Sequence, residues 1–235
     1  MNKKDILFII VLLALLLLAI IPEAPVAFYL SATKQYPMLM AFAKFFILAP
    51  LGEVIGLRIK TGYYHQPGFG LFPKAVVWGL LGLTIQLALV VFSAGTPAFM
   101  NILGVSNAQD AIMTDGFLWD KLFVAFGISV AMNLIYAPVL MTLHRITDIH
   151  IEHHNGLMTS LVSPLDMGRI LQELNWRVQW HFVFKKTIPL FWIPAHTITF
   201  MLPAQHRVLF AAFLGIMLGV FLAVASVLGR RLRSE

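Results

Sequence analysis

The chain of 235 residues contains no cysteine. That excludes disulfides, thiolate zinc sites, iron–sulfur clusters held by cysteine and any cysteine nucleophile. Charge is also scarce, at 12% of residues, whereas about a quarter of an ordinary soluble chain is charged. Long polar tracts are missing, so neither a coiled coil nor a disordered tail protein fits. What is present is apolar: 59% hydrophobic residues and a mean hydropathy of +0.83. Such a composition reads as one all-α, polytopic membrane bundle occupying residues 1–235, with the lipid bilayer as its first partner.

Six runs approach the length of about 20 mostly apolar residues that a spanning helix needs. They run from Ile6 to Ile21, Pro37 to Leu57, Ala75 to Leu103, Leu118 to Leu143, Phe182 to Leu202 and Val208 to Leu228. The first follows Asn2, Lys3 and Lys4 and reads as an uncleaved helix, because no small-x-small pattern follows cleanly in residues 22–27. Basic residues alternate by side. With a cytoplasmic N-terminus, thirteen of the 17 Lys and Arg fall on that side, and only Lys34, Lys121 and Arg207 fall on the other. Lys44 lies within a span. The asymmetry places both termini on the cytoplasmic side by the positive-inside rule, and it explains the net charge of +6 without a nucleic-acid partner.

The longest cytoplasmic loop, residues 144–181, carries an expected interfacial helix near residues 164–180. Ser163 would cap it, with Pro164 in the first turn and Asp166 near the positive end of its dipole. Arg169, Glu173 and Arg177 would share one face, beside an apolar stripe of Ile170, Leu174 and Val178. An ordinary connector packed beneath the bundle is the alternative. Helix packing is expected at Gly52 and Gly56, at Gly127 and at Gly215 and Gly219, either within the chain or in a homo-oligomer.

Polar residues inside apolar spans are costly and therefore informative. Lys44, Glu53, Gln86, Asn133, His196 and Thr199 are the candidates for a polar path, with Arg58 or Lys60 as the expected neutralising partners of Glu53. No serine–histidine–aspartate pattern, P-loop or dinucleotide fingerprint is visible, so no catalytic residue is assigned. The segment after the fourth run contains His144, His150, His153 and His154, including an HxxHH triplet similar to one histidine box of membrane desaturases and hydroxylases. The other boxes are absent. The histidines remain candidates for a metal, and a metalloenzyme using them is one alternative reading, a non-conducting membrane assembly protein another, but no cofactor or metal is assigned.

Trp192, Ile193, Pro194, His196, Thr199, Phe200, Pro203 and Arg207 resemble the C-terminal signature of the Mpv17/PMP22 family of small membrane proteins. That signature has Trp-Pro, then Gln-x-x-Asn-Phe, then Pro-x3-Arg before the last helix. Asn133, Ala137 and Pro138 match a further element one span earlier. His196 and Thr199 stand where the family carries its two amides, and Met132 stands where it carries an acid. The resemblance covers roughly residues 42–226. It implies a helical membrane protein acting as a channel or permeability factor, with an unassigned small solute. The lysine-started first helix suits a bacterial cytoplasmic membrane, an organellar membrane being the alternative.

Orientation is open to a direct test, because cysteines can be introduced on a background with none. A cysteine at Ser106 is expected to react with an impermeant thiol reagent from outside the cell, and one at Ser163 only after permeabilisation. The opposite pattern would reverse the topology.

Overall fold

The computed structural model describes residue 5, residues 23–114 and residues 118–231, all in helices and their connections; no strand occurs among them. They fall into two compact units divided between Met40 and Ala41. In the first, α1 (Glu23–Gln35) is followed by Tyr36 alone before a proline starts the next helix. The first expected span, Ile6 to Ile21, lies outside the described residues.

The second unit holds the bundle. Its helices are α2 (Pro37–Thr61, which begins just before the division), α3 (Leu71–Ile102), the short α4 (Ala108–Met113) and α5 (Trp119–His153). After a 3₁₀ turn (Met158–Leu161) come α6 (Met167–Glu173), α7 (Trp176–Val178), a π-helix (Gln179–Trp192), α8 (Ile193–Met201) and α9 (Ala204–Arg231). Among the described residues, four helices are long and apolar enough to cross a membrane: α2, α3, α5 and residues Ala204–Phe221 of α9. They are apolar outside as well as inside. Leu87 and Val91 of α3, Leu134 and Val139 of α5 and Phe221 of α9 are all exposed, as expected of helices solvated by lipid rather than water.

The stretch expected as the fifth span departs from a simple helix. Residues 179–192 make a π-helix containing Pro189, and α-geometry resumes at Ile193, one residue before Pro194. Two missing backbone donors five residues apart interrupt the α-ladder here, and a π segment is a recognised way to accommodate such a break. Where Pro203 ends α8, Arg207 reaches back one turn. Its Nε donates to Leu202 O at 3.0 Å and an Nη donates to Phe200 O at 3.2 Å, satisfying carbonyls at the end of that helix.

Two local expectations are corrected. The helix that holds the fourth expected span continues past Leu143 through His153, with His154 as its C-cap, so the HxxHH triplet ends a helix rather than lying in a loop. In the following connection the cap is Asp166, whose side chain accepts from Arg169 N at 3.1 Å, and not Ser163. That helix stops at Glu173 and Asn175 caps the next, which interrupts the continuous face expected from Arg169 to Arg177. The apolar stripe is used as a connector would use it: Ile170 and Leu174 are buried against Ile146 and Ile149 of α5.

Close packing rests on glycine. A Cβ on Gly52 would lie 2.9 Å from Ile216 Cα, Gly56 would touch Gly219 O at 3.6 Å, and Gly219 would touch Gly52 O at 3.5 Å. These three therefore serve contacts within the chain, between α2 and α9. Gly127 faces Met100, while Gly215 meets nothing within 4 Å. The tightest backbone approach joins loops. Gly156 (φ 71°) follows α5, and a Cβ there would lie 2.5 Å from Gly70 N and 2.7 Å from Gly68 O. Gly156→Ala is expected to destabilise the protein by about 2–4 kcal/mol, combining left-handed strain with a backbone clash. Gly215→Ala should stay within about 0.5 kcal/mol, as surface substitutions do. Chemical unfolding in detergent measures both.

Candidate functional site

Docking of Gly70 on Gly156 brings the start of α3 beside the far end of α5. Lys74 lies in the first turn of α3, its amide donating to Gly70 O at 3.0 Å, and Trp78 follows four residues later on the same face. His144 and Asp148 have the same spacing on α5, and Glu53 comes from α2. Lys74 Nζ donates to Glu53 Oε2 at 2.6 Å and lies 3.3 Å from Asp148 Oδ1. Trp78 Nε1 donates to Glu53 Oε1 at 2.6 Å. Arg145 stands at the rim, 3.8 Å from Asp148 Oδ2. Glu53 is thus neutralised by Lys74 of α3, in place of the expected Arg58 or Lys60 of its own helix.

The cluster is enclosed but reachable. Side-chain exposure is 11% for Lys74, 13% for Asp148, 20% for Glu53 and 22% for His144. Phe69 lies under the Lys74 ammonium at 5.0 Å, and the Trp78 and His144 rings are 4.3 Å apart. Two carboxylates would be expensive in such surroundings without cations, and each has one within reach.

His144 is the unsatisfied member. Its Nε2 is buried without a hydrogen bond, 3.6 Å from Glu53 Oε1 and 3.8 Å from Asp148 Oδ2, too far for one. Among the described residues, Glu53, His144 and Asp148 form the one group of three side chains whose metal-capable atoms all lie within 4.8 Å of one another.

The other candidate histidines go elsewhere. His150 Nε2 pairs with Ser160 O at 2.9 Å, His154 Nδ1 pairs with His150 O at 2.8 Å, and His153 Nε2 pairs with Glu173 Oε2 at 2.6 Å. Arg169, from the other side, and His153 hold the exposed Glu173 carboxyl below the usual carboxylate range. The four histidines do not share a centre.

Of the polar-path candidates, Lys44 is buried in α2 and Gln86 is half-buried in α3. Asn133, His196 and Thr199 gather where α5 meets α8, yet each bonds locally. Asn133 Nδ2 donates to Ser129 O at 2.8 Å, Thr199 Oγ1 donates to Ala195 O at 3.1 Å, and His196 Nδ1 lies 3.2 Å from Thr199 Oγ1. Ser129 bridges the helices instead, donating to Ile193 O at 2.7 Å. Lys74 and Trp78 are not among the residues the sequence marks as site candidates, whereas Asp148 shares a helical face with His144. Their signal was the four-residue spacing of Lys74 with Trp78 and of His144 with Asp148, read together with an acid in a neighbouring span.

Comparison with protein-family models, with curated proteins and with solved structures gives no match.

Removing one partner of an enclosed ion pair strands the other. Lys74→Met is expected to destabilise by about 1–3 kcal/mol, below the figure for full burial because the pair is partly exposed. Glu53→Leu together with Lys74→Met should recover part of that loss, giving a coupling energy of about 0.5–3 kcal/mol in a double-mutant cycle.

Proposed function

We propose that this chain is an integral membrane protein that passes small solutes, a channel or permeability factor of the kind the Mpv17/PMP22 resemblance implies. The observation that carries this reading is the charged cluster of Glu53, Lys74, His144 and Asp148 on three long apolar helices. Ionisable groups within a span cost on the order of 3 kcal/mol on insertion scales, and those retained mark ion or substrate routes by default. The cluster lies near the end of α2 and the start of α3, so it would act as a charged constriction at one mouth, with the Lys74 ammonium held across it between two carboxylates.

In this reading the bundle crosses the membrane about six times. The π-helix together with α8 supplies one of these crossings beside the four long helices. Both termini are cytoplasmic, and the membrane is a bacterial cytoplasmic one. The positive-inside count supports the orientation, because in this reading thirteen of the 17 Lys and Arg fall on the cytoplasmic side.

Reconstitution in liposomes tests the proposal. The wild type is expected to admit small polar solutes that protein-free liposomes retain. Glu53→Gln with Lys74→Gln, which keeps the local charge balanced, should change the relative permeation of anionic and cationic solutes by about tenfold. His196→Leu with Thr199→Val, at a seam of satisfied bonds, should leave flux unchanged. A wild type that admits no solute in a broad screen would end the channel reading, and an unaltered charge preference in the folded double variant would remove the cluster from the route.

A further inference from the structure

We infer that Glu53, His144 and Asp148 form a binding site for a divalent transition cation of the zinc type. The inference stands on the geometry of the cluster and does not require that the protein conduct anything.

The three inward-facing donors are Glu53 Oε1, His144 Nε2 and Asp148 Oδ2, with Nε2 separated by 3.6 and 3.8 Å from the two oxygens. Those distances are too long for hydrogen bonds. They are close to the spacing of about 3.4 Å between donors that each lie about 2.1 Å from one tetrahedral metal ion. A small side-chain rotation closes the difference. The His144 nitrogen supplies the second argument. As a lone pair it faces two anionic oxygens; as a protonated ring it makes only long ion pairs with them, at 3.6 and 3.8 Å. A cation at the point where the three converge satisfies nitrogen and oxygens together.

The remaining contacts are those of an orienting shell. Lys74 engages the outward oxygens, Glu53 Oε2 at 2.6 Å and Asp148 Oδ1 at 3.3 Å, which turns the inward oxygens towards His144. Trp78 Nε1 steadies Glu53 Oε1 from the side. Such outer hydrogen bonds fix ligating carboxylates in metal sites. One imidazole and two carboxylates suit zinc and its neighbours, whereas magnesium and calcium require more oxygen donors. The set offers three protein ligands and so leaves a fourth tetrahedral position open. Lys74 opposes the cation by charge, which makes occupancy dependent on metal supply rather than permanent.

The test uses full-length protein in detergent, stripped with a chelator and titrated with zinc(II) alone. Tryptophan fluorescence reports through Trp78, whose ring lies 4.3 Å from His144, and the melting temperature is followed in parallel. Saturable binding of about one ion per chain is expected, with a rise in melting temperature. His144→Gln and Asp148→Asn should each weaken it by about 10- to 100-fold. Lys74→Gln, whose amide keeps N–H donors for the outward carboxylate oxygens while removing the competing positive charge, should tighten it by about tenfold. His150→Ala, His153→Ala and His154→Ala combined should leave the affinity unchanged. Binding abolished by the triple substitution but retained in His144→Gln would locate the metal on the surface histidines and overturn the site, as would absence of saturable binding. Lys74→Gln is read as a gain, so the proposal stays open to refutation even if a ligand variant fails to fold: unchanged or weaker binding in folded Lys74→Gln counts against it.

Discussion

The backbone of Gly156 lies against the backbone of Gly68 and Gly70, with no room for a Cβ between them. This contact sets the register of α3 against α5. Lys74 is one turn beyond Gly70, and Asp148 is about two turns before Gly156, so the spacing of the ionic cluster follows from where the two loops meet. Both glycines have positive φ, 66° and 71°, which only a residue without a Cβ adopts at little cost. The segment after α5 thus works as a seat for the loop between α2 and α3, and Glu53 is positioned by the close approach of Gly52 to Ile216 in α9.

Elsewhere the bundle uses the same economy of side-chain volume. Helices that are apolar on every face gain little from exclusion of water against one another once in lipid, so contact distance matters more than hydrophobicity. Gly79 and Gly82 of α3 show it: a Cβ at either would fall within 3 Å of Phe42 or Phe45 on α2. Hydroxyl groups complete the joints. Ser129 donates to Ile193 O, and Thr197 Oγ1 donates to the same carbonyl at 2.8 Å, so one oxygen beside Pro194 accepts from both α5 and its own helix.

The long apolar helices were legible from hydropathy, and α2, α3, α5 and α9 emerge as crossing-length helices close to the expected runs. Partnership was less legible. Glu53 and its cation are 21 residues apart on different helices, and no periodicity within one span relates them. The packing role of Gly52, Gly56 and Gly219 was visible as spacing, but Gly215 fits the same spacing and touches nothing, because a motif specifies a face and not what lies opposite. Gly79 and Gly82 are three apart rather than four, and so escaped a search for the usual repeat. The histidines show the converse. They lie close in sequence, but successive positions on a helix point in different directions: His153 meets Glu173 outside the cluster, and His144 turns towards Glu53 and Asp148.

The π-helix changes how its residues must be counted. Trp180 and Lys185 are five apart, a separation that in an α-helix puts side chains about 140° away from each other. Here the Lys185 ammonium lies over the Trp180 ring at 5.8 Å. The wider ladder has brought the fifth residue round to the place of the fourth. Between Gln179 and Trp192, a wheel drawn at α pitch accumulates error with every turn and would assign the later side chains to the wrong face. Substitutions meant to alter a single face of this segment should therefore be chosen in steps of four and five residues, with three-residue neighbours treated as belonging to another side.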